Sequence, residues 1–115
     1  MMGSKLILAG DIGGTKTRLG IFTSSRGNVA SVREATYASR EYGSLEEIIE
    51  EFLGHGVRVD AACFGVAGPV VDGAASPTNL TWQMKTAQLK RKLPTGSVEL
   101  INDLVANAYG LQALE

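Results

Sequence analysis

Between Gly10 and Thr17 the chain reads Gly-Asp-Ile-Gly-Gly-Thr-Lys-Thr. Adjacent glycines let a backbone turn sharply and bring bare N–H groups close to an anion, with no Cβ in the way. Thr15 adds a hydroxyl donor and Lys16 a cation, so Gly10, Asp11, Ile12, Gly13, Gly14, Thr15 and Lys16 form a candidate phosphate loop. Asp11 is placed to hold a magnesium ion through its waters, as that hard cation prefers. The G-x-x-x-x-G-K-[ST] and G-x-G-x-x-G spacings are both absent. A plain Gly-Gly hairpin turn is the competing structural reading.

A second constellation is Ile101-Asn102-Asp103-Leu104, at an expected strand-to-helix junction. An ionised aspartate there, beside an amide able to bind hydroxyls, suits deprotonation of an alcohol. Taken alone, Asp103 also reads as an ordinary helix cap. A third is Gly65-Val66-Ala67-Gly68-Pro69 followed by Thr78-Asn79-Leu80-Thr81-Trp82. Ligands of open α/β sheets gather beyond the carboxyl ends of strands. Gly68 and Asn79 are therefore candidates to line a polyol cleft, against the plainer reading of a turn and a core Trp82. His55, between two glycines, reads as a loop residue, and Cys63 as a small hydrophobe within an apolar strand. Lys85, Lys90, Arg91 and Lys92 read as the wet face of a helix.

The elements that must position these loops follow from pattern. Lys5 to Ala9 is a short apolar strand that stops at glycine and aspartate. Thr17 to Phe22 alternates with Leu19 and Ile21 on one face, and Val29 to Ala38 returns after the turn chemistry of Ser24 to Asn28. Ser44 and Glu47 form a capping box ahead of Leu45, Ile48, Ile49, Phe52 and Leu53, and Gly54 ends that helix. Ala61 to Val66 reads as a central strand covered on both faces. Asp72-Gly73 marks a tight turn. A helix within Trp82 to Leu93, a strand from Val98 to Ile101 and a last helix from Leu104 complete the chain. The expected order is β-β-β-α-β-α-β-α, an α/β fold with a mixed five-stranded sheet and packed helices.

Composition narrows the classes. With 44% hydrophobic and 20% charged residues, the 115-residue chain suits one folded domain and is too apolar for a disordered one. Eleven basic against twelve acidic side chains give no electrostatic case for nucleic acid. No apolar run approaches the ~18 residues that span a bilayer, so no membrane partner is expected. A single cysteine fits a reducing cytoplasm. The last expected helix runs into Glu115 without a stop signal, so a truncated chain is expected.

Together these segments resemble the bacterial glucokinase family, within the sugar-kinase, Hsp70 and actin superfamily. Asp11-Ile12-Gly13-Gly14-Thr15 is similar to its first phosphate loop, and Cys63-Phe64-Gly65-Val66-Ala67-Gly68-Pro69-Val70 to the strand and loop lining its sugar cleft. Thr78-Asn79-Leu80-Thr81-Trp82 and Leu100-Ile101-Asn102-Asp103 are similar to its T-N-x-x-W and I/L-N-D segments. The resemblance implies a ribonuclease-H-like (actin-like ATPase) small lobe over residues 1–115, with the large C-terminal lobe absent. It also implies transfer of the γ-phosphoryl group of ATP to the 6-hydroxyl of glucose, with ATP and Mg2+ as cofactors. Asp103 then becomes the general base rather than a cap, Asn102 a ligand of other sugar hydroxyls, and Gly10 to Thr15 a cradle for ATP phosphates.

Lys16 departs from the asparagine common in glucokinases and matches the related ROK kinases and repressors. Two readings therefore stand beside glucokinase: a kinase for another hexose, and a non-catalytic sugar sensor. A ROK-type repressor carries a DNA-binding helix-turn-helix ahead of the motif, and only ten residues precede Asp11. The resemblance covers the family's first third, so the fragment alone is expected to be inactive, and a homodimer is expected at full length.

Overall fold

The computed structural model describes residues 5–54, 58–77, 80–93 and 97–102, with Asn102 by its backbone alone. Three long antiparallel strands open the fold: β1 (Lys5–Ile12), β2 (Lys16–Ser25) and β3 (Asn28–Ala38). A turn of 3-10 helix, Ser39–Glu41, leads into α1 (Leu45–Leu53), which returns the chain to β4 (Ala61–Val66). Three two-residue strands follow, β5 (Val70–Val71), β6 (Ala74–Ala75) and β7 (Met84–Lys85). Then come α2 (Thr86–Lys92) and β8 (Val98–Asn102). The main sheet is five-stranded and mixed, in the order β3-β2-β1-β4-β8, with β4 parallel to both β1 and β8.

This agrees with the expected α/β class and five-stranded mixed sheet and differs in detail. The region from Val70 to Lys85 pairs locally into a separate antiparallel sheet, so three short strands stand between β4 and α2. Its hairpin turns at Asp72-Gly73, both at positive φ (52° and 73°), a geometry suited to a two-residue loop. α2 starts only at Thr86, because Met84 and Lys85 are engaged with Ala74 and Ala75. The helix expected from Leu104 lies outside the described residues.

α1 forms as its pattern dictates. Ser44 Oγ accepts the Glu47 N–H at 3.3 Å, while Glu47 Oε1 accepts the N–H of Gly43, one residue ahead of the cap, at 3.2 Å. Leu45, Ile48, Ile49, Phe52 and Leu53 are all buried. At the other end Arg33 of β3 donates to the Phe52 carbonyl and lies 4.4 Å from the Phe52 ring centroid. A cation there favours the negative end of the helix. Lys92 of α2 pairs with Glu50 of α1 at 2.9 Å. Both helices therefore cover the same side of the sheet, where Leu8, Ile12, Thr17, Leu19, Ile21, Phe64 and Val66 are buried. Trp82 joins this core at 4% exposure, its indole donating to the Tyr42 carbonyl at 3.0 Å.

Strand alternation sends Ile7, Ala9, Asp11 and Cys63 to the opposite side. There Ile7, Ala9 and Cys63 keep partial exposure, so among the described residues β4 is fully covered on one face, not on both as expected. No helix among the described residues is long and apolar enough to cross a membrane.

Gly10 lies within β1 on the helix-covered face. A Cβ there would sit 2.7 Å from Phe64 Cδ1 and 2.8 Å from Leu19 Cδ2, both on buried side chains. We expect Gly10→Ala to destabilise the fold by about 1–3 kcal/mol through overpacking. Denaturant unfolding monitored at Trp82 measures this, and an unchanged midpoint would contradict the packing described.

Candidate active site

Parallel pairing carries three strand ends to one line. Ile12 of β1 is in register with Val66 of β4, and Val66 with Asn102 of β8. Neighbouring strands lie about 4.8 Å apart, so the three carboxyl ends span about 10 Å. The ladder runs one step further, because the Ala67 N–H donates to the Ile12 carbonyl at 3.1 Å. Gly68 then turns back, its N–H on the Val66 carbonyl at 2.9 Å. The loop after β4 is thus stitched to the start of the glycine turn.

The turn itself is shorter than the expected loop of Gly10 to Lys16. Gly10, Asp11 and Ile12 belong to β1, Lys16 to β2, and only Gly13, Gly14 and Thr15 lie between them. The strand continues past Ala9 because Gly10 and Ile12 face the core and Asp11 faces outward, an alternation that an apolar run ending at glycine conceals. The Gly13 N–H donates to the Lys16 carbonyl at 3.0 Å and closes a two-residue hairpin loop. Gly14 at the tip is partly exposed, and Thr15 and Lys16 are exposed.

Asp11 is exposed, opposite Arg18 across the β1–β2 ladder and beside Gly65 of β4. Among the described residues no three His, Cys, Asp or Glu side chains gather into a metal-binding group. A cation at this edge would have Asp11 as its carboxylate and take its remaining ligands from water and phosphate, the mode that magnesium favours. The donor set fits a magnesium-bound polyphosphate: an ammonium at Lys16, a hydroxyl at Thr15, an accessible glycine backbone and one carboxylate.

Of the other candidates, Gly68 lies at the strand-end line, and Asn102 takes its place there through its backbone. Asp103, the residue that follows, lies outside the described residues, as does Asn79. Beside Pro69 the small sheet forms an open cleft of about 370 Å³, lined by Val71, Ala75, Gln83 and Lys85 among others.

The sequence pattern missed the support beneath the glycine turn. Ser39, fully buried, donates its N–H to the Thr15 carbonyl at 2.9 Å and its hydroxyl to the Gly13 carbonyl at 2.8 Å. The Thr17 hydroxyl, also fully buried, lies 2.8 Å from Ser39 Oγ. One signal was present: Thr17 shares the alternating face of Leu19 and Ile21, where a hydroxyl must find a partner.

The comparisons with known proteins agree with one another. The glucokinase family model matches residues 8–115. A glucokinase from a Synechocystis species is 38% identical over 119 aligned residues, covering 93% of this chain and 34% of its own length. The chain therefore spans about a third of the length of the curated relatives it matches. A crystal structure of a glucokinase from an Antarctic psychrotroph is similar with a TM-score of 0.84 at 29% identity, over 100% of this chain and 37% of that one. A glucokinase from Balamuthia mandrillaris, solved in complex with glucose, gives a TM-score of 0.66 at 26% identity, over 97% of this chain and 33% of that one.

Cys63, in the strand leading to this site, is half-buried, and burial pushes its thiol pKa up, with Glu99 on the neighbouring strand adding to the rise. The reactive thiolate is thus disfavoured. At pH 8 the folded chain should react with a thiol reagent more slowly than the urea-unfolded chain. Equal rates would show the thiol to be open.

Proposed function

The chain belongs to the glucokinase family, and from that premise we propose that it is the N-terminal part of an ATP-dependent glucokinase. The observation that supports this best is the in-register alignment of Ile12, Val66 and Asn102, with the glycine turn at one end and Asp103 next in sequence at the other. Phosphate donor and hydroxyl acceptor must meet in one cleft, and adjacent parallel strand ends are where an open α/β sheet offers one.

In this reading the turn from Gly13 to Lys16 holds the phosphates of ATP, with Lys16 offsetting their charge and the Thr15 hydroxyl donating to their oxygens. Gly10 and Ile12 serve the site through packing and shape. Asp11 would hold magnesium through water, and the ion when bound would supply charge neutralisation. Gly68, Asn79 and Asn102 contact the sugar. The Asp103 carboxylate accepts the proton of the glucose 6-hydroxyl as that oxygen forms its bond to the γ-phosphorus. The bond from the γ-phosphorus to the β,γ-bridging oxygen breaks, and ADP leaves with its electron pair. Alignment and charge neutralisation supply most of the acceleration, and proton transfer the smaller share. The 115-residue chain alone should turn over no glucose, and the complete protein should act in the cytoplasm as a homodimer.

In a protein of the relatives' full length, Asp103→Ala should lower kcat by about 10²–10⁴-fold while glucose still binds. Coupled assay of glucose 6-phosphate formation together with glucose titration by calorimetry measures both. Near-normal turnover in the variant would remove Asp103 from the mechanism.

A further inference from the structure

We propose that Ser39 is a positioning residue for the phosphate-binding turn, with Thr17 fixing its hydroxyl. The proposal rests on the glucokinase reading of that turn. Ser39 holds the carbonyls on both sides of the tip: Gly13 through its hydroxyl at 2.8 Å and Thr15 through its N–H at 2.9 Å. A peptide unit is planar and trans, so its carbonyl and N–H point in opposite directions. No cis peptide interrupts the described chain. Anchoring the Gly13 carbonyl on Ser39 therefore turns the Gly14 N–H away from the protein body, toward the side an anion would occupy.

The direction of the hydrogen bonds is determined by their chemistry. The Gly13 carbonyl can only accept, so the single Ser39 hydroxyl proton is committed to it. Thr17 Oγ1, 2.8 Å from Ser39 Oγ, must then be the donor of that contact. The relay Thr17 to Ser39 to Gly13 lies with both side chains fully buried, where water cannot substitute for a lost partner. Glycine at positions 13 and 14 gives the tip a freedom that anion binding must restrict, and the clip restricts it in advance. Ser39 itself is fully buried beneath the turn, so it acts through the Gly13 and Thr15 carbonyls.

The test uses a protein of the relatives' full length, with KM for MgATP, KM for glucose, kcat and Tm measured for each variant. Ser39→Ala should raise the KM for MgATP by about five- to tenfold and leave the KM for glucose near its starting value. Thr17→Val should move the same constant in the same direction, and Thr17→Ser, which keeps the donor, should restore it. A fall in Tm with both KM values and kcat unchanged would reduce the pair to structural support and overturn the proposal. Lys16→Met separates phosphate binding by the turn from support of the turn by Ser39. If it raises the KM for MgATP while the soluble Thr17 and Ser39 variants do not, the clip fails and the phosphate reading stands. If Lys16→Met leaves that constant unmoved as well, the reading of the turn fails and the positioning role falls with it. Should Ser39→Ala not fold, the Thr17→Val and Thr17→Ser pair alone decides.

Discussion

The structure depends on the parallel pairing of β1, β4 and β8. Parallel neighbours cannot be joined by a tight turn, so each junction demands a crossover packed on the sheet. Here α1 lies in the connection that leads to β4 and α2 in the one that leads to β8, both on the same face. The apolar stripe of α1, Leu89 of α2 and Leu93 just after it are buried with Leu8, Ile12, Phe64 and Val66, fixing the register of the strands between them. Because register is fixed, the carboxyl ends fall side by side: Ile12, Val66 and Asn102. The placement of the candidate chemistry is thus a consequence of core packing.

Two demands meet at β1. Its inner face must stay narrow enough for Phe64 and Leu19 to close over Gly10, while its outer end must present Asp11 and a bare glycine turn. Period-two alternation satisfies both within a few residues. The hairpin that follows then needs support, since glycine tips are conformationally free. That support comes from Ser39 at the far end of β3, brought beneath the turn by the antiparallel β2–β3 ladder, in which Lys16 pairs with Ala38.

Much of this was legible in the residues. The helical spacing of Leu45, Ile48, Ile49, Phe52 and Leu53, bounded by Ser44 and Gly54, gave α1 its limits. The apolar run Ala61–Val66 gave β4, and the order of the Asp11–Thr15, Cys63–Val70, Thr78–Trp82 and Leu100–Asp103 segments pointed to the family. What escaped was non-local. The helix expected within Trp82 to Leu93 is there as Thr86–Lys92, but the pairing of Met84–Lys85 with Ala74–Ala75 that precedes it depends on a hairpin partner no local window contains. The extent of β1 was hidden because Gly10 and Asp11 look like loop residues, although one is required by Phe64 from a different strand. Ser39 carried no motif, since its role comes from carbonyls far away in sequence.

In the proposed reading, phosphate and sugar meet along the carboxyl ends of β1, β4 and β8. Amide NMR on a protein of the relatives' full length tests it most directly, with glucose and a non-hydrolysable magnesium–ATP analogue added separately. The nucleotide analogue should shift the amides of Gly13 to Lys16, and glucose those of Gly68, Asn102 and Asp103. Perturbations that instead gather elsewhere, on the outer strand β3 or the small β5–β7 sheet, with the strand ends unmoved, would contradict it.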